Sequence, residues 1–532
     1  MKLQSTFFIF FIYFFHLSYQ LTAQFVLTEH HEYILDDFKP DEFEVLSLGE
    51  DGILVYKILD NGEYSKQKQF VFEKLDTNLV VKTTHKTGLP FHFSEKHQIY
   101  LDGKEYLYLL SRPDSDKKVV VFRLNIPNFT SETFDITLPN RFFLNTFKAI
   151  GDELYLLGDA NDNEVGIGFN FISKTQKILP NFFDKDDELN NFLPNPLSQQ
   201  MIFGLSDDRS RVCDFSLKPY SALIGEQKRI NIKAPEREQE KKTFKNWRLY
   251  PLSATSFFIF GGYSLDCSND LTGTFSILVD NQVQKRSLYK PFFDFFNIYR
   301  HYSERKAIKL ETKREEMRKQ GKQKNITKKM YAHPQLYEFG EQVVFVMENY
   351  YQQTNNNTLN SNFRPFNPIF YNPYPRWQNP TTTPVNYIYS KAILCAWNKK
   401  GEYVWDNFMN LEELNIKNLE DNLSLGQYGD SLVLAYTHNE KVFSKLIHKR
   451  RTIKEQTEQK LEDLYKSKYN ITNQTDIKLK TWYKQNFLLI NEISVRSGEG
   501  KKTMFQLQKL TYQSLPLTEK EKKKMKVNKK NK

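Results

Sequence analysis

The sequence is poor in cysteine. Its 532 residues contain only three, Cys213, Cys267 and Cys395. An odd number leaves at least one thiol unpaired, which excludes a disulfide framework, and the wide spacing matches no zinc motif. We interpret the three as small buried apolar side chains, while one disulfide between Cys213 and Cys267 is the alternative.

The sequence also lacks the short motifs that mark common catalytic sites. It contains no G-x-S-x-G, H-E-x-x-H or G-x-G-x-x-G sequence and no phosphate-binding glycine loop. We therefore assign no catalytic residue and no cofactor. Active sites assembled from several loops carry no such motif, so enzymatic activity stays an alternative.

Metal-binding patterns are equally sparse. One segment offers oxygen atoms at alternate positions, but a glutamate stands where a calcium loop needs glycine: Asp159, Asn161, Asn163 and Glu164. We interpret it as a polar hairpin turn. Three histidines lie close in sequence without a strand pattern that would make them converge: His85, His92 and His97. We assign no metal site.

Excess positive charge is confined to two segments. Residues 300–329 carry twelve Lys or Arg and four Glu, and residues 519–532 carry eight Lys and two Glu. The formal net charge of the chain is +11, so the remainder is close to neutral. A nucleic-acid-binding protein needs basic residues spread over a folded face, so nucleic acid is not expected as a partner. Contact of the Lys520–Lys532 tail with an anionic surface is the alternative to a solvated tail.

Long hydrophobic runs are missing except at the N-terminus. Lys2 precedes the continuous apolar run Phe7–Phe15 (FFIFFIYFF), and a small residue follows at Ala23. A run of this length is typical of a cleavable secretory signal and is too short to span a membrane. We expect residues 1–23 to be a signal peptide and the mature protein to be exported to the periplasm, the cell surface or the medium, without a transmembrane span.

What the sequence has in abundance is aromatic side chains and short apolar runs. The 44 Phe and 30 Tyr favour strands and supply a large core. Pairs of short runs separated by polar turns recur, as in Glu153–Leu157 followed by the alternating residues Val165, Ile167, Phe169 and Phe171. Eight such units begin at Ile53, Glu105, Glu153, Met201, Phe257, Gln342, Ser431 and Phe487.

The spacing of these units predicts the fold class. Successive units lie about 50 residues apart once two insertions, 297–330 and 350–386, are removed. A repeat of this length built from short strands is typical of a β-propeller. We therefore predict an all-β fold, a seven- or eight-bladed β-propeller over residues 24–515 with helical and loop insertions, followed by a basic tail at 516–532. Two β-sandwich domains are the alternative.

Three insertions are expected to interrupt the repeat. Residues 299–319 are rich in Arg, Lys and Glu and predict a solvated helix. Within the insertion 449–485, residues 449–469 place Ile453, Leu461, Leu464 and Tyr465 at helical spacings, which predicts an amphipathic helix. The third insertion is a loop rich in Asn, Pro and Tyr, in which proline forbids regular structure.

The aromatic part of that loop is the candidate binding site. Residues 363–377 (FRPFNPIFYNPYPRW) interleave aromatic rings with Pro and Asn, a composition typical of loops that contact ligands. Sugars or extended peptides would suit such a surface. The candidate ligand-binding residues are Phe363, Phe366, Phe370, Tyr371, Tyr374 and Trp377. The alternative is that the loop packs back onto the fold.

Three sequence segments resemble known proteins. Ala396–Trp405 (AWNKKGEYVW) resembles the tryptophan-docking motif of quinoprotein (PQQ-like) propellers, and Phe260–Tyr263 (FGGY) resembles the double glycine of a Kelch blade. Each occurs once, and each implies a propeller hairpin. G-x-x-x-W-D-N at Gly401–Asn407, after the aromatic loop and with the Leu-Thr-Ala-Gln start at 21–24, resembles uncharacterised exported proteins of the Bacteroidetes. That resemblance implies an envelope location and no particular activity.

These observations leave three hypotheses about function. The first is an exported, non-catalytic binding or scaffolding propeller whose partner is a protein, peptide or glycan. The second is an extracellular hydrolase acting on glycans or peptides. The third is a structural protein attached to a surface through its basic tail.

Overall fold

The structure is a computed structural model. It describes residues 25–34, 43–59, 67–90, 98–111, 117–160, 163–179, 188–207, 214–221, 225–226, 228–233, 242–265, 271–297, 299, 304–320, 330–332, 336–353, 386–417, 419–464, 470–497 and 500–513. The predicted signal peptide and the basic tail lie outside these residues, and the predicted domain boundaries stay predictions.

The described chain is almost entirely β. Its strands form eight antiparallel sheets, and seven of the eight are built from strands that follow one another in sequence. The chain is an eight-bladed β-propeller, which confirms the predicted fold class rather than two β-sandwiches. Of the seven or eight blades expected, the structure has eight.

The first four blades run from Phe43 to Ile232. Blade 1 contains β2 (Phe43–Ser47), β3 (Ile53–Leu59), β4 (Gln67–Leu75) and β5 (Val81–Pro90). Blade 2 contains β6 (Gln98–Asp102), β7 (Tyr106–Ser111), β8 (Lys118–Asn125) and β9 (Thr130–Thr137). Blade 3 contains β10 (Phe142–Ile150), β11 (Glu153–Ala160), β12 (Asn163–Asn170) and β13 (Thr175–Leu179). Blade 4 contains β14 (Glu188–Asn195), β15 (Gln200–Asp207), β16 (Asp214–Ser221), and two short strands that both pair with β16, β17 (Gly225–Glu226) and β18 (Ile230–Ile232).

Blades 5 to 8 follow. Blade 5 contains β19 (Lys242–Pro251), β20 (Ser256–Leu265), β21 (Leu271–Asp280) and β22 (Val283–Pro291). Blade 6 contains β23 (Met330–Ala332), β24 (Tyr337–Phe339), β25 (Gln342–Gln353), β26 (Asn386–Asn398) and β27 (Tyr403–Ile416). Blade 7 contains β28 (Ser424–Tyr428), β29 (Ser431–His438), β30 (Lys441–His448) and β31 (Arg451–Lys460). Blade 8 combines β32 (Asn470–Tyr483), β33 (Asn486–Ser497) and β34 (Gly500–Tyr512) with the N-terminal β1 (Phe25–Ile34).

Each predicted unit corresponds to the middle of a blade. The apolar runs at Ile53, Met201 and Phe257, for example, form the second strands β3, β15 and β20. In blade 3 the predicted hairpin is confirmed, with Glu153 opposite Asn170 and Ala160 opposite Asn163. Middle strands are buried on both faces, which is why their sequences are continuous apolar runs.

The described residues form two compact units. The first takes its described residues from within Met1–Lys57, Glu73–Thr83 and Asn422–Lys532, and the second takes its described residues from within Ile58–Phe72 and Thr84–Asp421. The first unit brings both ends of the described chain into one sheet, where Phe25 of β1 lies opposite Tyr512 of β34. Phe25 is buried, and the side chain of Gln459 accepts its N–H at 3.0 Å and donates to its carbonyl at 3.1 Å. β1 is therefore held by its pairing with β34, by the apolar packing of Phe25 and by the two hydrogen bonds of the Gln459 side chain.

In the second unit a tryptophan fills the space between blades 4 and 5. Trp247 of β19 is fully buried and lies against Phe215, with ring centroids 5.9 Å apart. Its indole also covers Gly204 of β15, where an added Cβ would lie 2.4 Å from Trp247 Cζ2. Glycine at 204 is therefore required by the close approach of the indole.

One predicted helix is wrong. Within 449–469, residues Arg451–Lys460 form strand β31, which pairs with β30 and completes blade 7. Leu461 and Leu464 are buried, as expected, but in the turn after the strand. The Lys, Glu and Gln residues of this segment form the outer, more solvated part of a strand. Pairing with the open edge of β30 outweighs the helical spacing of the apolar residues on which the prediction rested.

The other predicted helix is confirmed. α1 (Glu304–Lys319) lies in the insertion between β22 and β23, preceded by a 3₁₀ turn at Phe292–Asp294; a second such turn spans Gly49–Asp51. The insertion 350–386 separates β25 from β26, although its first residues, Tyr350–Gln353, belong to β25. Within the described residues, no helix has the length and apolarity needed to cross a membrane.

The Trp247 contact makes a prediction about Gly204. We expect Gly204→Ala to lower the free energy of unfolding by about 2 kcal/mol, because the methyl group must displace the indole. Gly168→Ala is the matched control, since a Cβ there meets Leu179 Cδ2 at 3.7 Å, an ordinary contact. Urea denaturation of both variants measures the difference in the free energy of unfolding. Equal losses of stability would contradict the role of the contact between Trp247 and Gly204.

Candidate functional site

The candidate site lies on blade 6, where two insertions meet regular strands. It begins with the hairpin between β26 and β27 that the Ala396–Trp405 segment predicted. Asn398 Oδ1 accepts the N–H groups of Lys400 and Glu402, both at 2.9 Å, and closes the turn. Gly401 has a φ of +74°, and a Cβ there would lie 2.4 Å from Phe258 Cε1. The turn requires glycine at 401 because φ is positive and because a Cβ would clash with the ring of Phe258.

The tryptophan of the G-x-x-x-W-D-N segment is a structural residue. Trp405 is 1% exposed, and its Nε1–H donates to Gln342 Oε1 at 2.6 Å. The bond ties β27 to the start of β25. The indole is therefore committed to the blade and is not available for a ligand.

The aspartate of the same segment anchors the helical insertion. Asp406 is 1% exposed, and its carboxylate accepts the N–H of Phe296 at 2.8 Å and that of Asn297 at 2.7 Å. The hydroxyl of Tyr403 also donates to it. In return, Asn297 Nδ2 donates to the carbonyl of Asp406 at 2.6 Å. A buried carboxylate needs such donors, and here they come from the chain that leads to α1.

Two arginines one helical turn apart dock α1 onto that chain. Arg314, 8% exposed, donates to the carbonyl of Phe295 at 2.7 Å, and its guanidinium also pairs with Glu311. Arg318 binds Asp294 Oδ1 through Nε and Nη2 at 3.1 and 2.6 Å. Apart from the buried Arg314 and a few partly buried residues, α1 is exposed, which agrees with the expectation of a solvated helix.

A small depression beside the anchor is lined in part by a half-buried lysine. It is lined by Phe295, Asn297, Lys391, Ile393, Asp406, Asn407 and Phe408. Lys391 lies on β26, opposite Asn349 of β25 and Asn410 of β27. Burial lowers the pKa of Lys391 to about 8. Among the described residues its ammonium group has neither a hydrogen bond nor an ion pair.

Above Lys391 the strands extend past a double irregularity. Ser390 of β26 is skipped in the pairing with β25 and again in the pairing with β27. On β27 residues 411–413 are skipped as well, and there Glu412 and Glu413 adopt φ values of +45° and +53°. We call the strand ends beyond it, Tyr350–Gln353, Asn386–Tyr389 and Leu414–Ile416, the blade-6 extension. Bulges of this kind redirect strands and are frequent beside binding sites.

The blade-6 extension is aromatic. The ring of Tyr350 lies 5.7 Å from that of Tyr387 and 5.8 Å from that of Tyr389. The hydroxyl of Tyr389 is fixed between the carbonyl and the N–H of Glu420, both at 3.2 Å. Tyr351 is 46% exposed. This cluster forms the base from which the predicted aromatic loop departs and to which it returns.

The candidate residues of the loop itself lie outside the described residues. They are Phe363, Phe366, Phe370, Tyr371, Tyr374 and Trp377. Their role as ligand contacts stays a prediction. Sequence reasoning did not single out Lys391 or Asp406 as site residues. A lysine within the otherwise apolar strand β26, and an Asp-Asn pair directly after a buried Trp, were the available signals.

The other sequence candidates have ordinary environments where they are described. His85 contacts Ser131 Oγ at 2.9 Å, and burial lowers its pKa. Asp159 accepts a bond from Asn145 Nδ2 at 2.8 Å, and Glu164 accepts the N–H of Leu189 at 3.3 Å. Across the described ranges, no three His, Cys, Asp or Glu side chains are grouped as metal ligands. His92, His97 and Asn161 lie outside these ranges.

Of the cysteines, the structure describes only Cys395. It is buried and free, its Sγ lies 3.5 Å from the carbonyl of Phe345, and burial raises its thiol pKa to about 12. This agrees with the interpretation of a small buried apolar residue. Cys213 and Cys267 lie outside the described residues, so their pairing stays open.

Comparisons with known proteins give weak matches. The WD40 domain of SCAP from fission yeast is 9% identical, over 89% of this chain and 99% of that one, with a TM-score of 0.36. The Dos1 propeller is 10% identical over 90% and 94%, with a TM-score of 0.35. The polysaccharide lyase Uly1 is 10% identical over 78% and 89%, with a TM-score of 0.34. No protein-family model and no curated protein matches the chain. These values assign neither a family nor an activity.

The Asp406 anchor makes a prediction about stability. We expect Asp406→Ala to lower the free energy of unfolding by about 3 kcal/mol, because it leaves buried donors without an acceptor. Hydrogen exchange should accelerate over residues 292–297 and α1. Asp135→Ala is the control, because Asp135 is 59% exposed and its ion pair with Lys118 lies at the surface. We expect that change to cost at most about 0.5 kcal/mol. If the hydrogen exchange of α1 is unchanged in Asp406→Ala, Asp406 does not anchor the helical insertion.

Proposed function

We propose that the protein is an exported, non-catalytic β-propeller that binds a protein, peptide or glycan through blade 6. The observation that carries this proposal is the blade-6 extension, which lengthens β25, β26 and β27 to 12, 13 and 14 residues. Strands extended past a bulge, with a tyrosine cluster at their end, provide a rigid support for a loop. Binding loops are commonly carried on such supports.

The composition of the loop supports a binding role. Fifteen residues, 363–377, contain six aromatic rings and four prolines. Rigid aromatic side chains lose little entropy when they contact a ligand, and proline limits the conformations of the free loop. A mobile polar linker would need neither. The resemblance to exported Bacteroidetes proteins covers this region and is part of the proposal, whereas the quinoprotein and Kelch resemblances extend only to single hairpins.

Export is also part of the proposal. The predicted cleavage after Ala23 would leave Gln24 as the first residue, and β1 begins at Phe25. Cleavage there would preserve the whole of β1 and its pairing with β34. Cleavage a few residues later would remove the buried ring of Phe25 and its bonds to Gln459. A site at Ala23 is therefore compatible with the fold.

The alternative of an extracellular glycan or peptide hydrolase is supported by no specific group of side chains among the described residues. Turnover in a screen of glycan and peptide substrates would favour it. Attachment to an anionic surface through Lys520–Lys532 is a third possibility, and salt extraction from membranes tests it.

The binding proposal predicts a ligand that depends on the aromatic loop. We expect the mature protein to retain at least one ligand on a glycan and peptide array. Replacing all six aromatic residues of the loop with serine should abolish retention while the melting temperature stays unchanged. Phe143→Ser is the control, because Phe143 is an aromatic side chain of blade 3 that is 63% exposed. Retention by the six-residue variant would reject the loop as the binding site.

The export proposal predicts the mass of the mature protein. Expressed with its own leader, the protein should be recovered outside the cytoplasm with a mass that corresponds to a start at Gln24. Intact-mass spectrometry measures this directly. A full-length chain found only in the cytoplasm would overturn the proposal.

A further inference from the structure

Three tight turns and the end of the last strand meet at one end of blades 7 and 8. Gly429–Asp430 joins β28 to β29, Lys449–Arg450 joins β30 to β31, and Lys484–Gln485 joins β32 to β33. β34 finishes at the same end with Tyr512, because it runs antiparallel to β33. This end of the two blades therefore consists of hairpin tips and the end of a strand.

Hydrogen bonds and ring contacts hold the parts of this end together. The N–H of Gln427, just before the first turn, donates to the carbonyl of Lys484 at 2.7 Å. The N–H of Tyr512 donates to the carbonyl of Gln485 at 3.0 Å. The rings of Tyr428 and Tyr512 lie 5.6 Å apart. The end of β34 is thus fixed beside the turns of both blades.

The hairpin between β30 and β31 adds three cations to this end. His448 Nδ1 lies 2.6 Å from the carbonyl of Asp430, which places the hairpin next to the first turn of its blade. His448 pairs with Arg451, and Lys449 and Arg450 form the turn between them. All three cationic residues are exposed. We call Lys449, Arg450 and Arg451 the basic hairpin.

Turn geometry does not explain the lysines. Lys449 and Lys484 have φ values of +54° and +48°, a region that favours glycine or asparagine. The two-residue turns after β21 and β29 have asparagine at the corresponding position, Asn281 and Asn439, with φ values of +49° and +48°. A lysine at such a position is therefore better explained by its charge than by the backbone.

Acidic residues do not cancel the charge of the basic hairpin. Residues 441–454 contain six Lys or Arg and no Asp or Glu. Among the neighbouring turns, Asp430 is exposed in blade 7, and Glu50 and Asp51 are exposed in blade 1. Glu50 pairs with Lys484 at 2.9 Å. The excess of positive charge at this end is therefore concentrated on the basic hairpin.

From this end the chain continues into its most basic segment. Seven residues, 513–519, separate Tyr512 from Lys520, and a stretch of this length reaches at most about 25 Å. Residues 519–532 contain eight Lys and two Glu, with Met525 and Val527 among the lysines. Lysine clusters of this size bind anionic lipids, and apolar side chains among them enter the boundary between headgroups and acyl chains. One surface can therefore contact both the basic hairpin and the tail.

We propose that the basic hairpin and residues 520–532 together bind the anionic headgroups of a lipid bilayer. This inference extends the possibility of tail attachment to a folded surface, and it holds whether or not blade 6 binds a ligand. Headgroup phosphates require no pocket, because Lys and Arg on exposed turns reach them with long side chains. The attraction weakens as the salt concentration rises, because both sets of charges are exposed.

The test is flotation of the mature protein with lipid vesicles. The vesicles contain phosphatidylglycerol and phosphatidylcholine in a ratio of one to two, and vesicles of phosphatidylcholine alone serve as the neutral reference. We expect the triple variant Lys449→Gln, Arg450→Gln, Arg451→Gln to lower the partition coefficient at least about tenfold, because each cation near an anionic bilayer contributes to binding. Removal of residues 519–532 should lower it at least as much.

A second triple variant controls for net charge. Arg305→Gln, Lys309→Gln, Lys313→Gln removes three exposed cations from α1, the other basic segment of the chain. We expect its partition coefficient to stay within about twofold of the wild-type value, since its basic hairpin and tail are intact. The melting temperatures of both triple variants should equal that of the wild type, because all six side chains are exposed.

Four outcomes would overturn the inference. They are wild-type flotation of the hairpin variant, an equal loss in the α1 variant, equal binding to the neutral vesicles, and wild-type flotation after removal of the tail. A hairpin variant that floats normally but no longer binds a poly-glutamate peptide would assign the surface to an acidic polypeptide instead. If the expected flotation pattern is found while no array ligand binds, blade 6 is rejected as a binding site and the lipid contact stands.

Discussion

The burial of middle strands on both faces is the constraint on which the structure depends. Strands such as β3, β11 and β20 have almost no exposed side chain, so a single sheet leaves two apolar surfaces that must be covered. Large rings do this within each unit: Trp247 covers Gly204, and Phe25 packs between Phe487 and Tyr512. Apolar faces therefore specify which sheets pack together. The polar outer strands contribute by pairing with the open edge of each blade.

The same constraint leaves the strand ends free to vary. A blade needs its middle strands only over the length that is buried, so residues beyond that length can be extended or interrupted at small cost. Blade 6 does both. Asp406 and the arginines of α1 fasten one insertion to the blade, and the bulge around Ser390 marks where the regular pairing of β26 is interrupted. The depression with Lys391 lies between these two features.

The sequence predicted what depends on apolar pattern and missed what depends on pairing. Middle strands were predictable because a continuous apolar run such as FFIFGGYS has few other stable states. β31 was not, since RTIKEQTEQK suits a helix until the edge of β30 is present. The site shows the same division. Gly401 and Trp405 were recognisable as a hairpin, whereas the role of Asp406 depends on Phe296 and Asn297, which lie more than a hundred residues earlier.

Lys391 illustrates how one side chain departs from the rule that shapes the rest of the fold. In the unfolded chain a lysine holds its proton to a pH near 10, whereas in the fold burial lowers the pKa to about 8. Between these values the unfolded state binds more protons than the folded state, so the free energy of unfolding rises with pH across that window. Below pH 8 the lysine is charged in both states, and the destabilisation caused by its burial is at its largest. At neutral pH this side chain therefore works against folding. An uncharged residue at 391 would remove this destabilisation.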